Sequence, residues 1–331
     1  MEILLLTESD IEAILQIDEV MNAVETAFKE KALGYVQMPP KVYIIYEKYN
    51  GDLRAMPSYL ERLGISAVKV VNVHPDNPKK FDLPTVMAVI VLIDPKSGVP
   101  LAIMGGRWIT AMRTGAAGGI AAKYLARKDS KVVGLVGAGV QAKTQLMALL
   151  SLYGSLEEVR VWSRSKSRIE SYISEMRPIC EGKTTLVPVK NVKDAVDNAD
   201  IVVTTTPSRK PLVFDEWISE GTHITCIGAD APGKEELDPK ILLRAKIYVD
   251  DWEQGLHSGE VNVPFSKGII TKEKICGELG DVIAGLKPGR TSSEEITIFT
   301  STGLAIQDAV TADIVYRKAL SKNLGQRIKM F

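Results

Sequence analysis

A short stretch, Val132–Ala142, reads VVGLVGAGVQA and leaves the chain few folds to choose from. Its aliphatic and β-branched residues predict a strand that runs into Gly137-Ala138-Gly139-Val140-Gln141-Ala142, a G-x-G-x-x-A pattern, and Lys143–Leu150 suits a helix. Strand, tight turn and helix in that order are the context in which this pattern signals a bound dinucleotide. Gly137 can make the turn, Gly139 lets the backbone approach a pyrophosphate, and small Ala142 allows close helix–strand packing. The helix start then offers free N–H groups to the phosphates. The competing reading is a tight βα turn that binds nothing.

The chain has 331 residues, enough for two domains and a large core. Lys plus Arg and Asp plus Glu both number 41, so the formal net charge is zero and nothing points to nucleic acid or an anionic membrane as partner. Cys180, Cys226 and Cys276 are far apart and form no CxxC pair. That spacing fits a reduced cytoplasmic chain with neither disulfide nor metal centre, its cysteines serving as small core residues. The longest apolar run, Val86–Ile93, stops at Asp94-Pro95, too short for a membrane span, and Glu2 and Glu8 stand where a signal segment would be basic. A soluble, cytoplasmic protein is expected.

From the start of the chain, Thr7-Glu8-Ser9-Asp10 reads as the cap of a short helix and Asp18 as the cap of a longer one through Val20–Leu33, closed by Gly34. Strand-like segments follow at Lys41–Tyr46, Leu53–Met56, Ser66–Val73 and, as a hairpin, Val86–Ile93 with Leu101–Met104, which predicts an α+β domain with antiparallel strands. Thr110–Leu125 is a Gly- and Ala-rich helix. From Val132 strands and helices alternate: Val159–Trp162, Ser167–Ile179, Thr184–Val189, Val192–Ala199, Ile201–Thr205, His223–Gly228, Leu237–Leu243 and Ile247–Val249. Alternation of this kind predicts an α/β fold with a doubly wound parallel sheet. Ile296–Phe299 reads as one more strand, and Ala305–Leu320 as a long amphipathic helix returning to the first domain. The expected division is 1–112 with 305–331 as one domain and 113–304 as the nucleotide-binding domain.

The second strand of that domain ends in Ser163-Arg164-Ser165-Lys166-Ser167-Arg168. NAD-preferring sites usually place an acidic residue here for the ribose 2′-hydroxyl. Hydroxyls and three cations stand here instead, suited to a 2′-phosphate or simply to a solvated helix start. Thr204-Thr205-Thr206-Pro207 follows its strand at the carboxyl end, where ligands of open α/β sheets sit. Lys69 shares a strand face with Ala67 and Val71, and is either solvated or turned into a crevice where it binds an anion or exchanges protons. Arg113 suits bidentate binding of a carboxylate or phosphate, or a surface salt bridge, and the small residues after Thr114 let their helix approach another backbone. Asp230, in Ile227–Lys234, either points into the cofactor crevice or forms a turn before Pro232-Gly233. His74 and His257 fall in turn-like loops and His223 begins a strand; none has a partner at metal-ligand spacing.

Taken together these motifs resemble the ornithine cyclodeaminase and μ-crystallin family, most closely its archaeal-type alanine dehydrogenase branch. The resemblance covers nearly the whole chain. It is carried by Met38-Pro39-Pro40-Lys41, Asp52–Pro57, the Lys69 strand with Asn72 and His74-Pro75, Leu83-Pro84-Thr85, Arg113–Ala117, the glycine turn, Thr204–Pro207, Asp230–Lys234 and Ser301-Thr302-Gly303. It implies a Rossmann domain beside a domain that builds the substrate pocket and a homodimer interface. It further implies Lys69 and Asp230 as the catalytic pair, with Lys41, Arg54 and Arg113 around a substrate carboxylate. Thr85, Thr114, Gly137, Gly139, Val140, Gln141, Ser163, Arg164, Ser165, Thr205, Lys234 and Ser301 fall at cofactor contacts, and no metal is implied. The implied reaction is reversible oxidative deamination of a small amino acid, L-alanine, to a 2-oxo acid and ammonia through an imine, with NAD or NADP.

Two features depart from the family pattern. Relatives that take ornithine carry an acidic residue where Arg54 stands, and a cation there repels a distal ammonium, which favours a short uncharged side chain. The Ser163–Arg168 turn instead resembles the NADP-using branch that reduces cyclic ketimines such as pyrroline-2-carboxylate. Cyclic imine reduction and ornithine cyclisation are therefore the alternative activities, and a nucleotide-binding protein without turnover is the alternative class.

Overall fold

The structure, a computed structural model, describes residues 2–330. The chain forms two compact units, one comprising the residues up to Arg113 and from Leu304 onward, the other Thr114–Gly303. The first unit begins with β1 (Glu2–Leu6), α1 (Glu8–Ile14), α2 (Ile17–Ala32), β2 (Val36–Gln37), β3 (Val42–Tyr46) and β4 (Gly51–Leu60). It continues with β5 (Ile65–Val73), α3 (Asn77–Lys80), β6 (Val86–Ile93), β7 (Pro100–Gly105) and the first turns of α4 (Arg107–Leu125). The second unit carries β8 (Val132–Val136), α5 (Val140–Tyr153), β9 (Glu158–Trp162), α6 (Lys166–Cys180), β10 (Thr185–Pro188), α7 (Val192–Val196), β11 (Ile201–Thr204), β12 (Arg209–Val213) and β13 (His223–Cys226). Then come β14 (Glu235–Leu237), α8 (Pro239–Arg244), β15 (Lys246–Val249), α9 (Trp252–His257), α10 (Asn262–Ser266), β16 (Ile275–Glu278), α11 (Leu279–Ile283) and β17 (Thr297–Thr300). The chain ends in the first unit with α12 (Ala305–Lys322) and β18 (Gln326–Lys329).

In the first unit an eight-stranded sheet runs β18-β1-β7-β6-β5-β4-β2, with β3 also on β4. Its pairings are antiparallel except β1 with β7. Side chains alternate between the two faces of a strand, so Arg54, Met56, Ser58 and Leu60 of β4 are buried together with Ile65, Ala67, Lys69 and Val71 of β5. Ala305 of α12 packs against Met56, Val71 and Ala88, which identifies this as the helix-covered face. Thr7 and Asp10 form a reciprocal capping box that starts α1. Asp18 is not a cap: α2 starts after Gln16, and Asp18 sits in the first turn, where a carboxylate meets the positive end of the helix dipole. Gly34, at φ +81°, ends the helix.

The second unit is the doubly wound sheet expected from strand–helix alternation, all parallel, in the order β10-β9-β8-β11-β13-β17-β15-β16. Buried on both faces, β11, β13 and β17 are covered throughout. Chain order reverses between β8 and β11, so the loops after these two strands flank the switch point where such sheets bind ligands. Gly115 and Gly118 of α4 leave no room for a Cβ against Thr144 and Gln145 of α5, which is the close helix approach that their small size predicts. Helix α7 stops at Val196, short of the expected Ala199, because Asp197 turns extended at ψ 124°, and Asn198 follows at φ +54°. His257 closes α9 instead of lying in a loop. All three cysteines are free; Cys180 and Cys226 are buried, but Cys276 is exposed and is not a core residue. Among the described residues no helix is long and apolar enough to cross a membrane, and no cluster of His, Cys, Asp or Glu could hold a metal.

Candidate active site

The alternation of β5 turns Lys69 inward, where its side chain is 1% exposed. Its Nζ forms an ion pair with Asp308 Oδ2 at 2.7 Å and donates to Thr110 Oγ1 at 3.4 Å. Arg113 Nε donates to the other carboxylate oxygen of Asp308 at 3.0 Å, and its Nη1 to Gln307 Oε1 at 2.9 Å. Burial first, then the Arg113 guanidinium, lowers the Lys69 pKa to about 7; Asp308 pulls the other way, and Lys41 adds a further cation. Loss of hydration disfavours the ammonium, and like charge adds to the effect. Neither the solvated reading of Lys69 nor the surface salt bridge for Arg113 survives.

Arg54 lies on the same face of the sheet, two positions along β4 from Met56, the residue opposite Lys69. Its guanidinium is gripped at both ends by Asp52, Nε to Oδ1 and Nη2 to Oδ2 each at 3.0 Å, and stands over the Tyr43 ring at 5.3 Å. Thr85 precedes β6, and its carbonyl accepts the His74 N–H at 2.8 Å. Lys69 and Arg113 thus share Asp308, with Lys41 near enough to act on Lys69, while Arg54 carries its own counter-ion.

In the second unit the glycine turn fits a pyrophosphate. Gly137 takes φ +121°, and any Cβ there would overlap Thr205 Oγ1. Gly139 caps α5 with no side-chain hydrogen bond, and a Cβ on it would meet nothing within 4 Å, so open space lies before the helix. Val140 is exposed, and Gln141 Oε1 is buried without a partner. Ala142 is fully buried in the core between α5 and the sheet. Thr114 is buried, its carbonyl accepting Gln145 Nε2 at 2.8 Å. At the tip of β9, Ser163 accepts from the Ser165 N–H, Ser165 caps α6, and Arg164 is exposed. Beside them opens a cleft of about 550 Å³ lined by Trp162, Lys190, Asn191, Pro211, Phe214 and Trp217.

Asp230 and Lys234 form an ion pair with each other, the Asp230 side chain 37% exposed. Ser301 Oγ donates to Asp250, a fully buried carboxylate that also accepts the N–H groups of Thr302 and Gly303 at 2.6 and 2.8 Å. Glu236, also fully buried, accepts from Thr204 Oγ1, from the Thr206 N–H and hydroxyl, and from the Gly228 N–H, so one carboxylate ties the loop after β11 to the loop after β13. Burial raises its pKa to about 7, against those hydrogen bonds. His223 is buried between the hydroxyls of Thr297 and Thr225, and burial lowers its pKa to about 3, which leaves it a neutral structural group. Lys69 belongs to the first unit and Asp230 to the second. Asp308, Gln307, Asp250 and Glu236 escaped sequence reasoning. The available signal was polarity inside apolar runs, as in Ala305-Ile306-Gln307-Asp308-Ala309-Val310.

A parallel sheet with a glycine turn at its switch point, joined to an α+β unit with a buried lysine and arginine, defines a dinucleotide-binding protein of the α/β class. The sequence profile of the Ornithine cyclodeaminase/mu-crystallin family matches residues 1–323, and the chain belongs to that family. It is 53% identical over 331 residues to an alanine dehydrogenase of Archaeoglobus fulgidus, covering 100% of this chain and 99% of that one. Among solved structures, an archaeal alanine dehydrogenase dimer with bound NAD superposes with a TM-score of 0.95 at 52% identity, covering both chains completely. The Δ1-pyrroline-2-carboxylate reductase of Thermococcus litoralis, in complex with NADH and L-proline, gives a TM-score of 0.95 at 42% identity, covering 98% of this chain and 100% of that one.

Proposed function

We propose that the chain is an NAD(P)-dependent dehydrogenase that interconverts L-alanine with pyruvate and ammonia. The observation that carries this reading is Lys69, a fully buried lysine poised near neutrality beside Arg113, in a chain similar along its whole length to an alanine dehydrogenase. A bound nicotinamide supplies the acceptor for hydride from the amino-acid Cα. Lys41, Arg54 and Arg113 hold the substrate carboxylate and so orient that Cα. With a pKa of about 7, Lys69 can give or take a proton at working pH. Asp230 serves as base toward the amine or the water that attacks the imine. Its carboxylate is held ready by Lys234. Thr85, Thr114, the 137–141 turn, Thr205, Lys234 and Ser301 hold the cofactor, with the adenine in the cleft beside Trp162. The hydroxyls of Ser163 and Ser165 and the cation of Arg164 favour NADP over NAD.

The same cationic turn favours a second reading, reduction of a cyclic imino acid. A spectrophotometric assay separates the two. NADH and NADPH are each offered with pyruvate plus ammonia, then with pyrroline-2-carboxylate, and absorbance should fall with the first pair. Loss with the cyclic imine alone overturns the alanine assignment. Lys69→Ala and Asp230→Ala should bind cofactor yet lose turnover by about 10²–10⁴-fold, and near-normal rates would reject their roles. Arg164→Ala should weaken NADPH far more than NADH; equal effects remove the basis for the coenzyme preference. A homodimer is part of the proposal, supported by the dimeric structure the chain resembles, and a cytoplasmic location is proposed with it.

A further inference from the structure

We propose that Asp308 is a positioning residue: its carboxylate fixes the Lys69 ammonium and the Arg113 guanidinium in one arrangement and lets the lysine keep its proton when the chemistry needs it. The inference rests on reading Lys69 as the proton-exchanging group. Asp308 is 1% exposed on the first turns of α12, and spends one oxygen on each cation. The groups around Lys69 are unequal in sign. Helix α4 contributes Arg113 and the neutral Thr110, the segment before β3 contributes Lys41, and α12 contributes Asp308. Strand β4 presents Arg54 on the same face, already paired with Asp52. Of the groups that act on the lysine, Arg113 and Lys41 oppose its charge and Asp308 supports it.

Stability does not demand such a cluster, because buried ion pairs are often replaceable by packed apolar side chains without loss. The arrangement does have a use in proton exchange. A lysine facing two cations and no carboxylate would stay neutral through the working range and could not supply a proton. Gln307, next to Asp308, accepts from the far side of the Arg113 fork, so adjacent residues of α12 set both the aim of the arginine and the charge of the lysine.

The test is the pH profile of kcat and kcat/KM for the full-length protein, with NADH binding by fluorescence as the check on folding. Lys69→Ala identifies the limb that belongs to the lysine. In Asp308→Asn that limb should move to lower pH by about one to three units, the effect of removing one adjacent opposite charge, while NADH affinity stays within about twofold and kcat near neutral pH falls at least ~10-fold. Asp308→Glu restores the charge but not the reach: the limb should return to its native position with kcat still lowered. A limb unmoved in Asp308→Asn, or a uniform loss of rate at every pH, overturns the proposal while leaving Lys69 in its role. Normal turnover in Lys69→Ala overturns both. If Asp308→Asn fails to bind NADH, Asp308→Glu decides: a native limb with at least ~5-fold lower kcat supports the proposal, and a displaced limb or an unchanged kcat overturns it.

Discussion

A lysine ammonium wholly withdrawn from water is held against its own preference, and Lys69 is such a group. Its folded pKa of about 7 lies below the ordinary 10.5. A depressed pKa of this kind means that the unfolded chain binds more protons between those two values, so this residue lowers stability most below pH 7 and its cost fades as pH rises toward 10.5. Linkage puts the cost at roughly 3–5 kcal/mol at its largest. Lys69→Met keeps the volume and leaves Asp308 with Arg113 as partner, so at pH 6 it should raise the urea midpoint, with the advantage shrinking at pH 9.5 as the native lysine loses its charge. A variant less stable than the native protein at pH 6 would show that the ion pair outweighs desolvation. From the sequence, period 2 was enough to place Lys69 on the face shared with Ala67 and Val71. It could not tell that the face is covered, because the cover, α12, lies far along the chain and its charged member, Asp308, matches no motif.

Between β8 and α5 the two glycines have different physical reasons to be glycine, and substitution should separate them. Gly137 has a left-handed backbone and no space for a side chain. Gly137→Ala should therefore cost about 1–3 kcal/mol of stability as well as cofactor affinity, read by thermal melting and NADH titration. Gly139 has φ −99°, which any residue adopts, and a Cβ there would meet no protein atom. Gly139→Ala should melt within about 2 °C of the native protein, less than ~1 kcal/mol, yet bind NADH at least ~10-fold more weakly because the methyl occupies the space the pyrophosphate needs. Unchanged affinity in Gly139→Ala would mean that the phosphates do not pass there. This element was the most readable in the sequence, since each part of a strand–turn–helix is local. The short strand β14 and the loops after β13 and β17 were unreadable for the opposite reason: they are held by buried carboxylates, Glu236, Glu260 and Asp250, that bond backbone N–H groups across the fold, and such bonds leave no periodic trace.

At the scale of the whole molecule, the sheet of the first unit is finished on one face only. Helix α12 packs against the face carrying Met56, Val71 and Ala88. The residues that alternate with them include Met87 and Val89, both exposed, and β3, which among the described residues has β4 as its one neighbouring strand, exposes Val42 and Ile44 opposite Ala55 and Leu53 on that same face. An apolar surface on a sheet, next to a strand at its margin, is a surface that associates. The net charge of zero gives no long-range repulsion to prevent it. The sequence showed these as ordinary half-buried strands, because alternation reveals that a strand has two faces but not how many are covered within one chain. If the homodimer forms through this face, then Val89→Lys together with Ile44→Lys should leave folding intact, the side chains being exposed in the protomer, and should shift the protein to monomers at micromolar concentration in sedimentation velocity. A native protein that is monomeric, or a double variant that still sediments as a dimer, would mean that two copies meet elsewhere and that this apolar face needs another explanation.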